Sequence, residues 1–144
     1  VGAGAGSIAI EWMRAKGSAV AFEKNLTRIT SIARNADKLG VPQLIIVPGE
    51  APHTFRGIEK PDAVFIGGGL TTPGLVESCW EALANCGRIV ANAITVEGEA
   101  QLYRQQQKLG GTLTRYTVSH LEPKGRFKVW QARAPVTQWR VNKP

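Results

Sequence analysis

Two cysteines in 144 residues, and no apolar run near the thickness of a bilayer, already remove several kinds of protein. Cys79 and Cys86 are too few, and too poor in clustered Cys or His neighbours, for a disulfide scaffold or a zinc site. They read as reduced core or helix-end thiols, and no metal is expected. No stretch reaches the ~20 residues that a spanning helix needs, so no membrane partner is expected. No Arg-rich leader or signal-peptide pattern opens the chain, which makes a cytoplasmic setting the expectation. Repeats and low-complexity segments are missing too, so the solenoid and linker classes drop out.

Basic residues are in excess: 18 Lys and Arg against 11 Asp and Glu, a formal net charge of +7. Such a balance favours an anionic partner, whether nucleic acid, an acidic membrane surface or a polycarboxylate metabolite. The charges are scattered through Arg28, Arg34, Arg104, Arg115, Lys124, Arg126, Arg133 and Arg140 without a run. A dedicated nucleic-acid tail is therefore not expected.

Strand and helix patterns alternate along one domain, residues 1–144. Val1 to Ser7 is a glycine-rich turn, and Ile8 to Lys16 reads as a helix that Gly17 ends. Ser18–Glu23 reads as a strand, and the apolar spacing from Leu26 to Leu39 as a helix closed by Gly40. Gln43–Val47 and Ala63–Ile66 are buried-type strands, the first broken by Pro48 and Gly49. Leu75–Ala84 reads as a helix, Arg88–Ala93 as a strand and Val96–Leu109 as a helix. Leu113–Val118 and Val136–Val141 alternate apolar and polar residues, as half-exposed antiparallel strands do. The expected fold is α/β, a Rossmann-like parallel sheet with helices on both faces and an antiparallel C-terminal strand pair. Only Val1 precedes the glycine turn, where such a sheet places its first central strand. We therefore expect the domain to be N-terminally incomplete, with that strand on a preceding segment.

In open α/β sheets ligands bind outside the carboxyl ends of the strands. Four parts of the sequence fall there. Gly2, Gly4 and Gly6 form G-x-G-x-G, a turn on which a ligand can lie against bare main chain beside a helix N-terminus. Glu23 ends the next strand about twenty residues later, where a carboxylate can accept two ribose hydroxyls. Glu50 and Ala51 follow the third strand, a polar and a small residue able to flank a flat adenine. Gly67, Gly68 and Gly69 follow the fourth and leave open space for a reacting group. The dinucleotide pattern G-x-G-x-x-G would need glycine at position 7, which is Ser7, so a dehydrogenase is disfavoured.

Four segments carry a closer resemblance: VGAGAGSIAIEW (1–12), PDAVFIGGGLTTPG (61–74), GRIVANAITVEGEA (87–100) and APVTQWRVNKP (134–144). Together they are similar to the decarboxylating precorrin-6Y C5,15-methyltransferases, both the stand-alone type and the C-terminal half of the fused type. The resemblance covers nearly the whole chain. It implies a class I methyltransferase fold, S-adenosyl-L-methionine as cofactor, and a precorrin (tetrapyrrole) substrate. The implied reaction is methylation at carbon 15 with loss of an acetate carboxylate, in cobalamin biosynthesis. A homotetramer is implied as well. Carried over by position, Gly2, Ala3, Gly4 and Gly6 would cradle the methionine part and Glu23 would hold the ribose. Lys24 would adjoin it, and Glu50 with Ala51 would border the adenine. Gly67 and Gly68 would also touch cofactor, while Gly69, Leu70, Thr71, Thr72 and Asn92 would face the substrate.

Methyl transfer to an electron-rich carbon depends mainly on in-line approach, worth about 7–11 kcal/mol of the barrier. No catalytic acid or base stands out: His53 and His120 are not placed beside any reacting centre. Arg115, Arg126, Arg133 and Arg140 are candidates for pairing with substrate carboxylates, and Trp130 and Trp139 for lying against a flat macrocycle. Two other readings are an RNA-directed class I methyltransferase, which the basic charge would suit, and a non-catalytic nucleotide-binding domain.

Overall fold

The computed structural model describes residues 1–55 and 57–144. Among the described residues, four helices and eight strands follow one another as α1 (Ser7–Arg14), β1 (Val20–Glu23), α2 (Leu26–Lys38), β2 (Ile45–Pro48), β3 (Ala63–Ile66), α3 (Leu75–Ala82), β4 (Arg88–Ala93), α4 (Val96–Leu109), β5 (Thr112–Tyr116), β6 (Ser119–Lys124), β7 (Phe127–Ala132) and β8 (Val136–Asn142). The two long helices start on side-chain caps. Asn25 accepts from the Arg28 amide at 3.0 Å, and Thr95 accepts from the Gly98 amide at 3.1 Å, each satisfying one of the first-turn donors that a helix leaves open.

β1 and β2 pair in parallel, and a second sheet runs in the order β3-β4-β8-β5. β3 and β4 are parallel, whereas β8 is antiparallel to both β4 and β5. The two sheets are joined through residues 1–3. The Val1 nitrogen donates to Phe65 O at 2.7 Å. Gly67 N donates to Val1 O at 2.9 Å and Ala3 N to Phe22 O at 3.1 Å. The place where a central strand was expected is thus held by three residues bonded to β1 on one side and β3 on the other.

Helices cover both faces. Ile89, Ala91 and Ala93 of β4 point into a cluster with Leu75, Val76 and Cys79 of α3 and Leu102 of α4. Arg88, one residue out of phase and so on the opposite face, lies 5.6 Å from the ring of Trp12 on α1. A second cluster joins Ile10 of α1, Ile32 and Ala36 of α2 and Ala21 of β1. Cys79 is fully buried, and burial pushes its thiol up to about 11. Cys86 is exposed.

The structure corrects three expectations. Residues 119–132 form a hairpin, β6–β7, where no strands were expected, and β5 stops at Tyr116. The strand expected as buried at Gln43–Val47 runs instead from Ile45 to Pro48 and is half-exposed; Pro48 sits opposite Glu23 at the end of an edge strand, a position that tolerates proline. Trp139 is fully buried in the core, its indole N–H donating to Gly110 O at 2.9 Å, so it has no face to offer a macrocycle.

Candidate active site

The carboxyl ends of β1, β2 and β3 converge with the glycine turn on one cavity of about 550 Å³. That volume lies inside the range typical of small-molecule sites. Its wall includes Gly2, Gly4, Glu23, Lys24, Glu50, Ala51, Gly67, Gly68, Gly69 and Thr72. Ten of the fifteen positions singled out from sequence therefore meet in one place.

Glu23 organises the site. Its side chain is almost fully enclosed, at 4% exposure. One carboxylate oxygen accepts the Gly4 amide at 2.9 Å and the other the Asn25 amide at 3.0 Å. Burial alone would raise its pKa; the backbone donors of Asn25 and Gly4 and the nearby Arg28 charge outweigh it, and the net shift is downward. An ionised carboxylate has about four acceptor positions, so each oxygen keeps one for a ligand hydroxyl. The same bonds tie the end of β1 to the glycine turn.

Gly2 and Gly68 are in closer contact than side chains would permit. A Cβ on Gly2 would fall 2.8 Å from both Cα and N of Gly68, and Gly2 has φ +64°. Bare backbone is thus required where the turn meets the loop after β3. At the opposite side of the mouth, Lys24 Nζ and Glu50 Oε1 form an exposed ion pair at 2.8 Å. The hydrogen bond to its partner lowers the Glu50 pKa and raises that of Lys24.

Five expected positions lie outside the cavity wall. Ala3 uses its amide on Phe22 O and packs against the α1–α2 cluster. Gly6 is the cap of α1, and a Cβ there would meet Ile32 at 2.9 Å, so its smallness serves helix packing. Leu70 is in the core, and Thr71 is exposed beside the mouth. Asn92 accepts from Gln138 Nε2 at 3.0 Å across β4 and β8. α3 is capped by the Gly74 backbone without a side-chain bond. The sequence reading missed Arg28 and Ser31, which line the cavity from α2. Their spacing of three, just past Glu23, places them on one helix face, a signal that was available.

The candidate arginines separate. Arg115 bonds Glu99 at 2.7 Å and Thr137 at 3.1 Å. Arg133 pairs with Glu122. Arg126 lies over the Phe127 ring. Arg140 lines a second cavity of about 360 Å³ on β5 and β8, which shares no lining residue with the first. His120 is exposed on β6, and His53 is exposed on the loop after Ala51.

A parallel half-sheet, an antiparallel C-terminal pair and a carboxylate-bearing cavity at the strand ends define a class I methyltransferase fold. The C-terminal domain of precorrin-6Y C5,15-methyltransferase from Rhodobacter capsulatus has this structure: TM-score 0.91, 40% identity, 99% of this chain and 77% of that one covered. The chain belongs to the precorrin methyltransferase domain family, whose model matches residues 1–143. It is 45% identical over 141 residues to a precorrin-6Y C(5,15)-methyltransferase [decarboxylating] of Sinorhizobium sp, covering 96% of this chain and 34% of that protein. The chain thus spans about a third of that relative. A shorter one, from Pyrobaculum calidifontis, is named "Probable cobalt-precorrin-6B C(15)-methyltransferase (decarboxylating)"; it is 32% identical over 145 residues, covering 94% of this chain and 73% of that protein.

Proposed function

We propose that residues 1–144 act as one S-adenosyl-L-methionine-dependent methyltransferase domain. It methylates carbon 15 of a precorrin and promotes loss of an acetate carboxylate, in cobalamin biosynthesis. The observation that carries this reading is the Glu23 carboxylate, held against the glycine turn with acceptor capacity to spare, in a chain of this family.

The residues present fit the cofactor. Glu23 would take the ribose hydroxyls, with Lys24 beside it. Gly2 and Gly4 would lie along the methionine part, and Glu50 with Ala51 along the adenine. Gly4 lines the cavity with open space beside it, since a Cβ there would meet nothing within 4 Å. When bound, the cofactor supplies a methyl group on a positively charged sulfur. Gly67, Gly68 and Gly69 leave that region free of side chains, and Thr71 and Thr72 stand beside it on the substrate side. Fixed approach of the two reactants is the largest contribution this arrangement offers, about 7–11 kcal/mol at best.

A cytoplasmic setting and a homotetramer belong to the same proposal. No helix among the described residues is long and apolar enough to cross a membrane, which is compatible with the first. Light scattering tests the second: a mass of four chains is expected, and a monomer refutes it. The activity is tested by incubating the full protein with methyl-labelled cofactor and the precorrin. Label in the tetrapyrrole with release of carbon dioxide is expected; cofactor binding without either product would leave a nucleotide-binding domain instead.

A further inference from the structure

β5 runs parallel to β4, since both are antiparallel to β8. The carboxyl ends of β3, β4 and β5 therefore share one rim with the amino end of β8. The β6–β7 hairpin joins β5 to β8 and so rises from the same rim as Gly67–Gly69. Its base is closed by Arg133 N donating to Val118 O at 2.9 Å. From β3 to β5 is three strand steps, about 14 Å, comparable with the breadth of a tetrapyrrole.

The hairpin carries large apolar side chains in the open. Leu121 and Trp130 are directly opposite in the register and hence on one face, with Trp130 72% exposed. Lys128, two residues before Trp130, shares that face. A two-stranded hairpin alone is marginal in water, and exposed apolar surface of this kind marks a binding surface. Its charge is one-sided. Glu122 is taken by Arg133, and Lys124, Arg126 and Lys128 pair with no acid among the described residues. An apolar face edged by cations complements a flat ring that carries carboxylates on its periphery.

We propose that the β6–β7 hairpin is the outer wall of the substrate site, Trp130 and Leu121 lying against the tetrapyrrole ring and Lys128 and Arg126 meeting its carboxylates. This rests on the tetrapyrrole reading above.

The test uses the full protein and uroporphyrin, a flat polycarboxylate tetrapyrrole, as the probe, with affinity read from its absorbance and from tryptophan quenching. Trp130→Ala should weaken uroporphyrin binding at least about tenfold, the scale of losing one aromatic stacking surface. Calorimetric binding of S-adenosylhomocysteine should stay within about twofold, which shows that the variant is folded. The double change Arg126→Gln with Lys128→Gln should weaken the porphyrin and flatten its salt dependence. Unchanged porphyrin affinity in Trp130→Ala overturns the proposal. So does a variant that separates an oligomer into single chains at constant porphyrin affinity, because the hairpin would then belong to a second copy. A wild-type protein that binds S-adenosylhomocysteine but no porphyrin also refutes the wall, while loss of nucleoside binding itself would refute the methyltransferase reading instead.

Discussion

Replacing Glu23 by Gln separates the two tasks assigned to that side chain. Its oxygens accept the Gly4 and Asn25 amides at 2.9 and 3.0 Å. A Gln nitrogen cannot accept, so one of those part-buried N–H groups loses its partner, at about 1 kcal/mol of stability. In the bound state two ribose hydroxyls would meet a neutral amide in place of a carboxylate. Bonds to a charged acceptor are worth about 1.5–3 kcal/mol and neutral ones about 0.5–1.5, so roughly 2–3 kcal/mol of binding goes, or about 30- to 150-fold in Kd. Calorimetry with S-adenosylhomocysteine, alongside urea denaturation, reads both losses. The pH dependence adds a second check. The Glu23 pKa is depressed in the folded protein from an ordinary value of 4.5. Its stabilisation is therefore complete above that ordinary value and is lost as pH falls through the lower folded one. The stability difference between wild type and Glu23→Gln should shrink across that acid window. Should stability fall while nucleoside affinity stays within about twofold, Glu23 would be a turn anchor only, and the ribose role would be refuted.

Two further substitutions test the framework around the site. Gly2→Ala sets a Cβ 2.8 Å from the Gly68 backbone at φ +64°, whereas Gly4→Ala, at φ +60°, meets nothing within 4 Å. The first should cost about 2 kcal/mol or more in denaturant unfolding and weaken the nucleoside, the second about 1–2 kcal/mol; equal costs would show that the Gly2–Gly68 contact is not tight. Trp139→Phe should lose about 1–2 kcal/mol, since the buried ring gives up both volume and its indole bond to Gly110 O, and a loss below about 0.5 kcal/mol would show that neither the bond nor the lost volume counts.

The parts of this molecule that were legible in the sequence are those whose signal is local. A strand end followed by Gly, Glu or Gly-Gly-Gly needs no partner to be recognised. That is why the cavity loops assembled as expected around Glu23, Glu50 and Gly67. α2 was equally clear, because its apolar spacing runs up to Gly40, whereas the Asn25 and Thr95 caps of α2 and α4 emerged only from the structure. Positions decided by what lies across the sheet were not. Asn92 is spent on Gln138, which is 46 residues away, and Gly6 is small because of Ile32 in the next helix. Trp139 and Trp130 belong to similar alternating stretches, yet one is enclosed and the other stands in water.

The hairpin was missed for a related reason. Its two-residue turn, Gly125–Arg126, is marked by a glycine at φ +62°, and β7 alternates Phe, Val and Gln with Lys, Trp and Ala. The strands nevertheless lack the half-buried pattern that identifies sheet members, since both faces are largely exposed. A segment whose apolar residues serve a ligand or partner rather than the core does not show the periodicity of either element. The failure of the pattern at Leu121 and Trp130 is thus itself informative: local rules break where a surface is built for binding, and here that break lies on the rim that carries the cofactor loops.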